Sequence, residues 1–192
     1  MNIGIIGSGG REHSLCIMLK KSKVVNKIYC FPGNAGTNQI AHNVEVDINN
    51  FEELKKISEE RDIRLLVIGP EKPLVDGISD FFKNTKIKIF GPSRIAAKLE
   101  GSKTFTKKLC EKFNIPTSKF KIFTNKLEAN NFLKDIDLPI VIKADGLAAG
   151  KGVYICKNLG ECNIAINEIF DGRFGKAELV LIEEFLSGEE MS

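Results

Sequence analysis

Across its first hundred positions the chain alternates short apolar, β-branched runs with stretches of helical periodicity, and no other feature restricts its fold as tightly. Residues 3–6, 27–31, 44–46, 64–68 and 87–90 read as strands, with helices predicted between them over 12–20, 51–60 and 74–83. In the second helix Leu54 and Ile57 share one face, with Phe51 at its edge, while Glu52, Glu53, Lys55 and Lys56 turn largely to solvent. Strands and helices in this alternation build a parallel sheet with helices on both faces.

From about Ser93 the pattern changes. A helix is predicted over 102–112, ending before Ile115-Pro116-Thr117, and is followed by strands at 120–123, 140–143, 153–156 and 179–183 with helices at 127–134 and 164–170. Hairpin-like strands around a glycine loop point to a separate small α+β unit. The fold class expected is therefore α/β: a Rossmann-like parallel-sheet domain over 1–101, then an α+β domain over 102–192. The last strand runs straight into Glu189-Glu190-Met191-Ser192, so the second domain is expected to be incomplete.

Composition removes several classes of function. A net charge of +3 over 192 residues makes no case for nucleic-acid binding. Five cysteines (16, 30, 110, 156 and 162) with no CxxC, beside only two histidines, fit a reduced protein without a structural zinc. No apolar run approaches a membrane span, and the apolar start is too short for a signal sequence. A cytoplasmic protein is expected.

Five loops carry the chemistry. Gly7-Ser8-Gly9-Gly10-Arg11-Glu12-His13 follows the first strand, where glycines let backbone N–H groups approach an anion at a helix N-terminus. Glu12 stands where a dinucleotide fingerprint has its third glycine, which weakens a dehydrogenase reading and leaves a bare strand-to-helix turn as the alternative. Pro32-Gly33-Asn34-Ala35-Gly36-Thr37 follows the second strand, and Gly69-Pro70-Glu71-Lys72-Pro73-Leu74 the fourth. Each is either an ordinary surface loop or part of a ligand site at the carboxyl ends of parallel strands, with Glu71 placed to accept from sugar hydroxyls. The run from Pro139 to Val153 delivers Lys143 on a buried strand, then Gly146, Gly150, Lys151 and Gly152 in a loop suited to folding amides over phosphates. It is not a Walker A loop, because Gly146 and Gly150 enclose three residues and Gly152 replaces the Ser/Thr that holds magnesium. The fifth, an apolar strand ending at Glu183-Glu184-Phe185-Leu186 before Glu189-Glu190, is either a plain edge strand or a place for an adenine edge and a ribose.

In this order, over essentially the whole chain, the five motifs resemble the phosphoribosylamine–glycine ligase (glycinamide ribonucleotide synthetase) family of ATP-grasp enzymes. Residues 90–92 and 100–103 belong to the same likeness, and 143–152 is its most specific part. The resemblance implies that Lys103 and Lys143 contact ATP phosphates and that 146–152 closes over the triphosphate. It also implies that Glu183, Glu184 and Leu186 (through its backbone) hold adenine, and that Glu190 lies near the ribose. By looser analogy Gly9, Gly10, Asn34, Gly36 and Glu71 line a phosphoribosylamine site. The implied reaction joins glycine to 5-phosphoribosylamine through a glycyl phosphate, needing charge neutralisation and positioning rather than a protein nucleophile. Mg²⁺ or Mn²⁺ ligands are implied beyond residue 192, with none in this chain. Another ATP-grasp ligase and a nucleotide-binding module without catalysis remain the competing expectations; oligomeric state is left open.

Overall fold

The first strand sets the frame of the N-terminal half. In β1 (Asn2–Gly7) Ile3 and Ile5 face one side and Gly4 and Ile6 the other, and Ile3, Ile5 and Ile6 are all buried. A strand buried on both faces belongs in the middle of a parallel sheet. β1 indeed lies centrally, flanked by β2 (Ile28–Pro32) and β4 (Ile63–Ile68), with β3 (His42–Asn43) and β5 (Lys88–Phe90) at the edges; all pairings are parallel and the order is β3-β2-β1-β4-β5. The computed structural model describes residues 1–147, 151–175, 179–189 and 191. Met1–Lys98 and Leu99–Ser192 form two units, each described by itself.

Helix α1 (Gly10–Lys20) covers one face of the parallel sheet, where Cys16 packs with Ile3, Ile5, Ile28, Cys30 and Val67. Leu54 of α2 (Phe51–Glu60), Ile78 and Phe82 pack on the other with Ile6, Phe31 and Leu66. Asn50 caps α2 by accepting the Glu53 N–H at 3.2 Å. The single helix predicted over 74–83 is two short ones, α3 (Glu71–Asp76) and α4 (Ile78–Phe81). Gly77 separates them at φ +99°, a left-handed conformation that ends the first helix. The strand expected at 44–46 is also corrected: only His42 and Asn43 pair with β2, after which Val44 and Val46 turn into the core.

The C-terminal unit begins at the end of α5 (Arg94–Gly101), continues through α6 (Lys103–Lys112) and builds an antiparallel sheet. Its strands are β6 (Phe120–Phe123), β7 (Ile140–Ala144), β8 (Val153–Cys156) and β9 (Val180–Glu184), in the order β6-β9-β7-β8. One face is packed: Ile140, Ile142, Ala144, Val180 and Ile182 meet Ala129 of α7 (Lys126–Phe132) and Cys162, Ala165, Ile166 and Ile169 of α8 (Leu159–Phe170). Because side chains alternate along a strand, Val141 and Lys143 point to the opposite face. Helix α8 starts five residues before its predicted position because Asn158 caps it, accepting the Glu161 N–H at 2.9 Å while Glu161 accepts the Lys157 N–H at 2.7 Å. Among the described residues no helix is long and apolar enough to cross a membrane.

Candidate functional site

In the N-terminal unit the loops after β1, β2 and β4 leave the same carboxyl edge of three neighbouring strands, where the strand order reverses. That is where open parallel sheets hold ligands. The first two of these loops are tied together by Asn34. Its amide nitrogen donates to the carbonyls of Ser8 (2.8 Å) and Gly9 (3.2 Å), and its oxygen accepts the N–H groups of Gly36 (2.8 Å) and Thr37 (2.9 Å). Asn34 thus acts on the loops themselves. Gly36 has its own reason to be glycine, since a Cβ there would stand 2.7 Å from the His13 ring.

Glu12 explains the departure from the dinucleotide fingerprint. Its carboxylate is buried, accepts the Gly9 N–H at 2.6 Å and the Arg11 Nε–H at 3.2 Å, and fills the space that side chains at Gly7, Gly9 and Gly69 would need. The motif's glycines therefore accommodate a protein carboxylate rather than a pyrophosphate at that spot. The Gly9-x-x-Glu12 spacing of a helix-capping box was the available signal for it. Gly10 differs, because a Cβ there meets nothing within 4 Å. Arg11, mostly exposed, reaches from Glu12 to Glu71 at 3.4 Å and is a cation at this edge that motif reasoning did not single out. Hydrogen bonding to Glu12 raises its pKa.

In the C-terminal unit the chemistry gathers on the other face of the antiparallel sheet, which is buried at Leu181 and Glu183 and exposed at Val153 and Ile155. Register places Lys143 beside Val153 and Leu181, and Val141 beside Ile155 and Glu183, so lysine, glutamate and exposed aliphatic surface lie together. Helix α6 adds Lys103 and Lys107, one turn apart and therefore on one side of the helix. Lys103 Nζ donates to the carbonyls of Ala144 (3.0 Å) and Gly146 (2.9 Å), gripping the base of the loop after β7. Burial lowers its pKa, with Asp145 pulling the other way. Asp145 holds the start of α6, accepting from Ser102 Oγ at 3.0 Å and from the Thr104 N–H at 3.1 Å.

Glu183 is the centre of the face. It is 5% exposed, and its Oε2 accepts from Ser118 Oγ at 2.6 Å and from Lys143 Nζ and Lys107 Nζ, each at 3.1 Å. Burial alone pushes the Glu183 pKa up and is the largest single influence, but the bonds from Ser118, Lys143 and Lys107 outweigh it and the net shift is downward. Glu184 is engaged differently, its carboxylate accepting the Lys119 N–H at 2.7 Å. Leu186 and Lys151 are exposed, and Gly152 passes its carbonyl to the Ala144 N–H at 2.8 Å. Gly146 adopts φ +94° with open space around it, a turn that only glycine takes readily. Gly150 and Glu190 lie outside the described residues. Lys107, Ser118 and Asp145 were not singled out from sequence, although the four-residue spacing from Lys103 marks Lys107 as its neighbour on the helix.

Among the described residues no three His, Cys, Asp or Glu side chains stand together as a metal site. Burial pushes the thiols of Cys30 and Cys156 up to about 12, so neither is an activated nucleophile.

The chain is thus a parallel-sheet unit followed by an α+β unit whose antiparallel sheet carries lysines and a buried glutamate on one face. The comparisons narrow this. Residues 1–100 match the family described as phosphoribosylglycinamide synthetase, N domain, and residues 101–192 match its ATP-grasp (A) domain. The chain belongs to the phosphoribosylglycinamide synthetase family. It is 46% identical to phosphoribosylamine–glycine ligase of Brucella melitensis over all of its own length and 45% of that protein's. The crystal structure of phosphoribosylamine–glycine ligase from Thermotoga maritima superposes with a TM-score of 0.78 at 34% identity, over 98% of this chain and 45% of that one. N5-carboxyaminoimidazole ribonucleotide synthetase of the same organism, at 22% identity and a TM-score of 0.71 over 96% of this chain and 46% of its own, shares the fold. The chain thus spans just under half the length of these relatives.

Proposed function

We propose that this chain is the sugar-binding and first nucleotide-binding part of an enzyme that uses ATP to join glycine to 5-phosphoribosylamine, yielding glycinamide ribonucleotide, ADP and phosphate. The observation that carries the reading is the match of both halves, in order, to the two domains of one family. The chemistry agrees with it. A triphosphate requires cations on a surface beside a place for a flat base, and that face of the antiparallel sheet offers Lys103 and Lys143 beside Val141, Val153 and Ile155.

In this reading Lys143 and Lys103 neutralise phosphate oxygens, as does Lys151 from the loop, with Gly146, Gly150 and Gly152 permitting close backbone approach. Glu183, anchored through Oε2, presents Oε1 to the exocyclic amine of the base, the Leu186 backbone meets its edge, and Glu190 faces the ribose. Glu184 holds the strand end in place through Lys119. At the parallel sheet, Gly10 leaves room for the phosphoribosylamine beside Gly9, which Glu12 holds in place, Asn34 and Gly36 set the loop, and Glu71 with Arg11 faces its polar groups.

The glycine carboxylate takes the γ-phosphoryl group, and the sugar's amine then attacks the acyl carbon and expels phosphate. Charge and position drive both steps, so no side-chain nucleophile is required. Mg²⁺ accompanies the ATP, and we assign its protein ligands outside this chain. The same assignment makes the protein a cytoplasmic enzyme of purine synthesis. The test is ADP release by the enzyme at the length of its relatives, which must require glycine and 5-phosphoribosylamine together. ADP release with bicarbonate in place of glycine would assign the chain to a different ligation.

A further inference from the structure

Lys107 has no part in the nucleotide reading, yet it is the most completely coordinated lysine on that sheet face. It is 9% exposed, and burying an ammonium costs several kcal/mol unless its donors are satisfied. Here they are: Nζ lies 2.6 Å from Ser118 Oγ, 2.7 Å from Thr117 Oγ1, 3.2 Å from the Ser118 carbonyl and 3.1 Å from Glu183 Oε2, with the Phe120 ring centroid at 5.6 Å. Three donors facing four acceptors hold this side chain where it is.

Lys143 shares the same carboxylate oxygen at the same 3.1 Å, but its side chain is 25% exposed against 11% for Lys107. Two ammonium groups therefore face one carboxylate. Among the described residues Lys103 rests on two backbone carbonyls, Asp145 on Ser102 and Thr104, and Glu184 on the Lys119 N–H.

The arithmetic of charge has a consequence for binding. Were Lys143 the sole counter-ion of Glu183, drawing it toward a phosphate would strand a buried carboxylate, and the cost of that would oppose every phosphate contact. We propose that Lys107 is a positioning residue for the polyphosphate, acting as the resident counter-charge of Glu183 and so releasing Lys143 to serve a phosphate oxygen. This deepens the nucleotide reading above and rests on it.

The test is a mutational cycle on the enzyme at the length of its relatives, with ATP and adenosine as probes, read by calorimetric titration. Lys107→Gln removes the charge while keeping two N–H donors on a side chain one atom shorter. It should weaken ATP by about ten- to a hundredfold, the range for one charge-assisted hydrogen bond, and leave adenosine unchanged. In a Glu183→Gln background there is no carboxylate to neutralise, so adding Lys107→Gln should cost no further ATP affinity. A purely structural role for Lys107 would weaken ATP and adenosine alike and by the same factor in both backgrounds, which would overturn the proposal. Equal ATP binding by wild type and Lys107→Gln would overturn it as well, while leaving the nucleotide reading standing. A wild-type enzyme that binds no ATP would sink both. Should Lys107→Gln fail to fold, Lys107→Met, which fills the same volume without a polar group, carries the same cycle and the same outcomes.

Discussion

Substituting Gly10 and Gly69 in turn separates a glycine kept for a ligand from one kept for the fold. At Gly10 an added Cβ meets nothing within 4 Å, and the residue begins α1. Valine is a better helix former than glycine by a few tenths of a kcal/mol, so Gly10→Val should leave stability within about 0.5 kcal/mol of wild type. At Gly69 the Cβ would stand 2.0 Å from Glu12 Oε1 and 2.6 Å from Glu12 Cδ. Glu12 is 4% exposed and anchored on the Gly9 N–H, so it has little room to retreat. Gly69→Ala should therefore cost about 1–3 kcal/mol, the usual penalty for overpacking a filled site. Urea unfolding followed by circular dichroism measures both. Two titrations of Gly10→Val complete the experiment: glycinamide ribonucleotide should bind more weakly, because the side chain projects into the open crevice, and ATP should bind as before. A Gly69→Ala protein as stable as wild type would refute the packing argument. Loss of ATP binding with normal ribonucleotide binding in Gly10→Val would reverse the assignment of the two sites.

Lys143→Ala should weaken ATP by about 1.5–3 kcal/mol in calorimetry, since one charge-assisted bond to a phosphate is lost; unchanged affinity removes Lys143 from the site. The folded-state pKa of Glu183 is depressed below its ordinary 4.5, so its contribution to stability is present above that value and is lost as pH falls through the folded value. Urea midpoints measured from pH 7 to pH 3 should fall less steeply at the acid end in Glu183→Gln than in wild type, and parallel curves would contradict this. With glycine, 5-phosphoribosylamine and MgATP supplied, the 192-residue chain should release no ADP above background, because it spans only 45% of its Brucella relative and the metal ligands are assigned elsewhere. Robust ADP release requiring both substrates would show that assignment to be wrong.

The alternation of apolar runs and helical periods determined the parallel sheet of the first half, because a strand buried on both faces leaves a continuous apolar signature such as that of residues 3–6. The antiparallel strands of the second half were equally legible, and the lysine and glycine pattern of 143–152 marked that stretch as the candidate for phosphate chemistry before any coordinates. Local sequence also held signals that were passed over, among them Asn158 as the cap that starts α8 early and Gly77 as the break in the helix over 74–83. Tertiary structure alone decided which polar groups are occupied. Nothing in the order of residues says that Glu12 fills the space beneath Gly69, fifty-seven positions away, or that the Asn34 amide is consumed in tying two loops. Nor does it bring Lys107, Lys143, Ser118 and Glu183 to one carboxylate oxygen. A motif records the local needs of the backbone, whereas the partner of a buried charge is set by which strands and helices meet across the fold. Ser118, Lys107 and Lys143 converge on one oxygen of Glu183 only because β7 and β9 pair in a particular register with α6 lying over the same face.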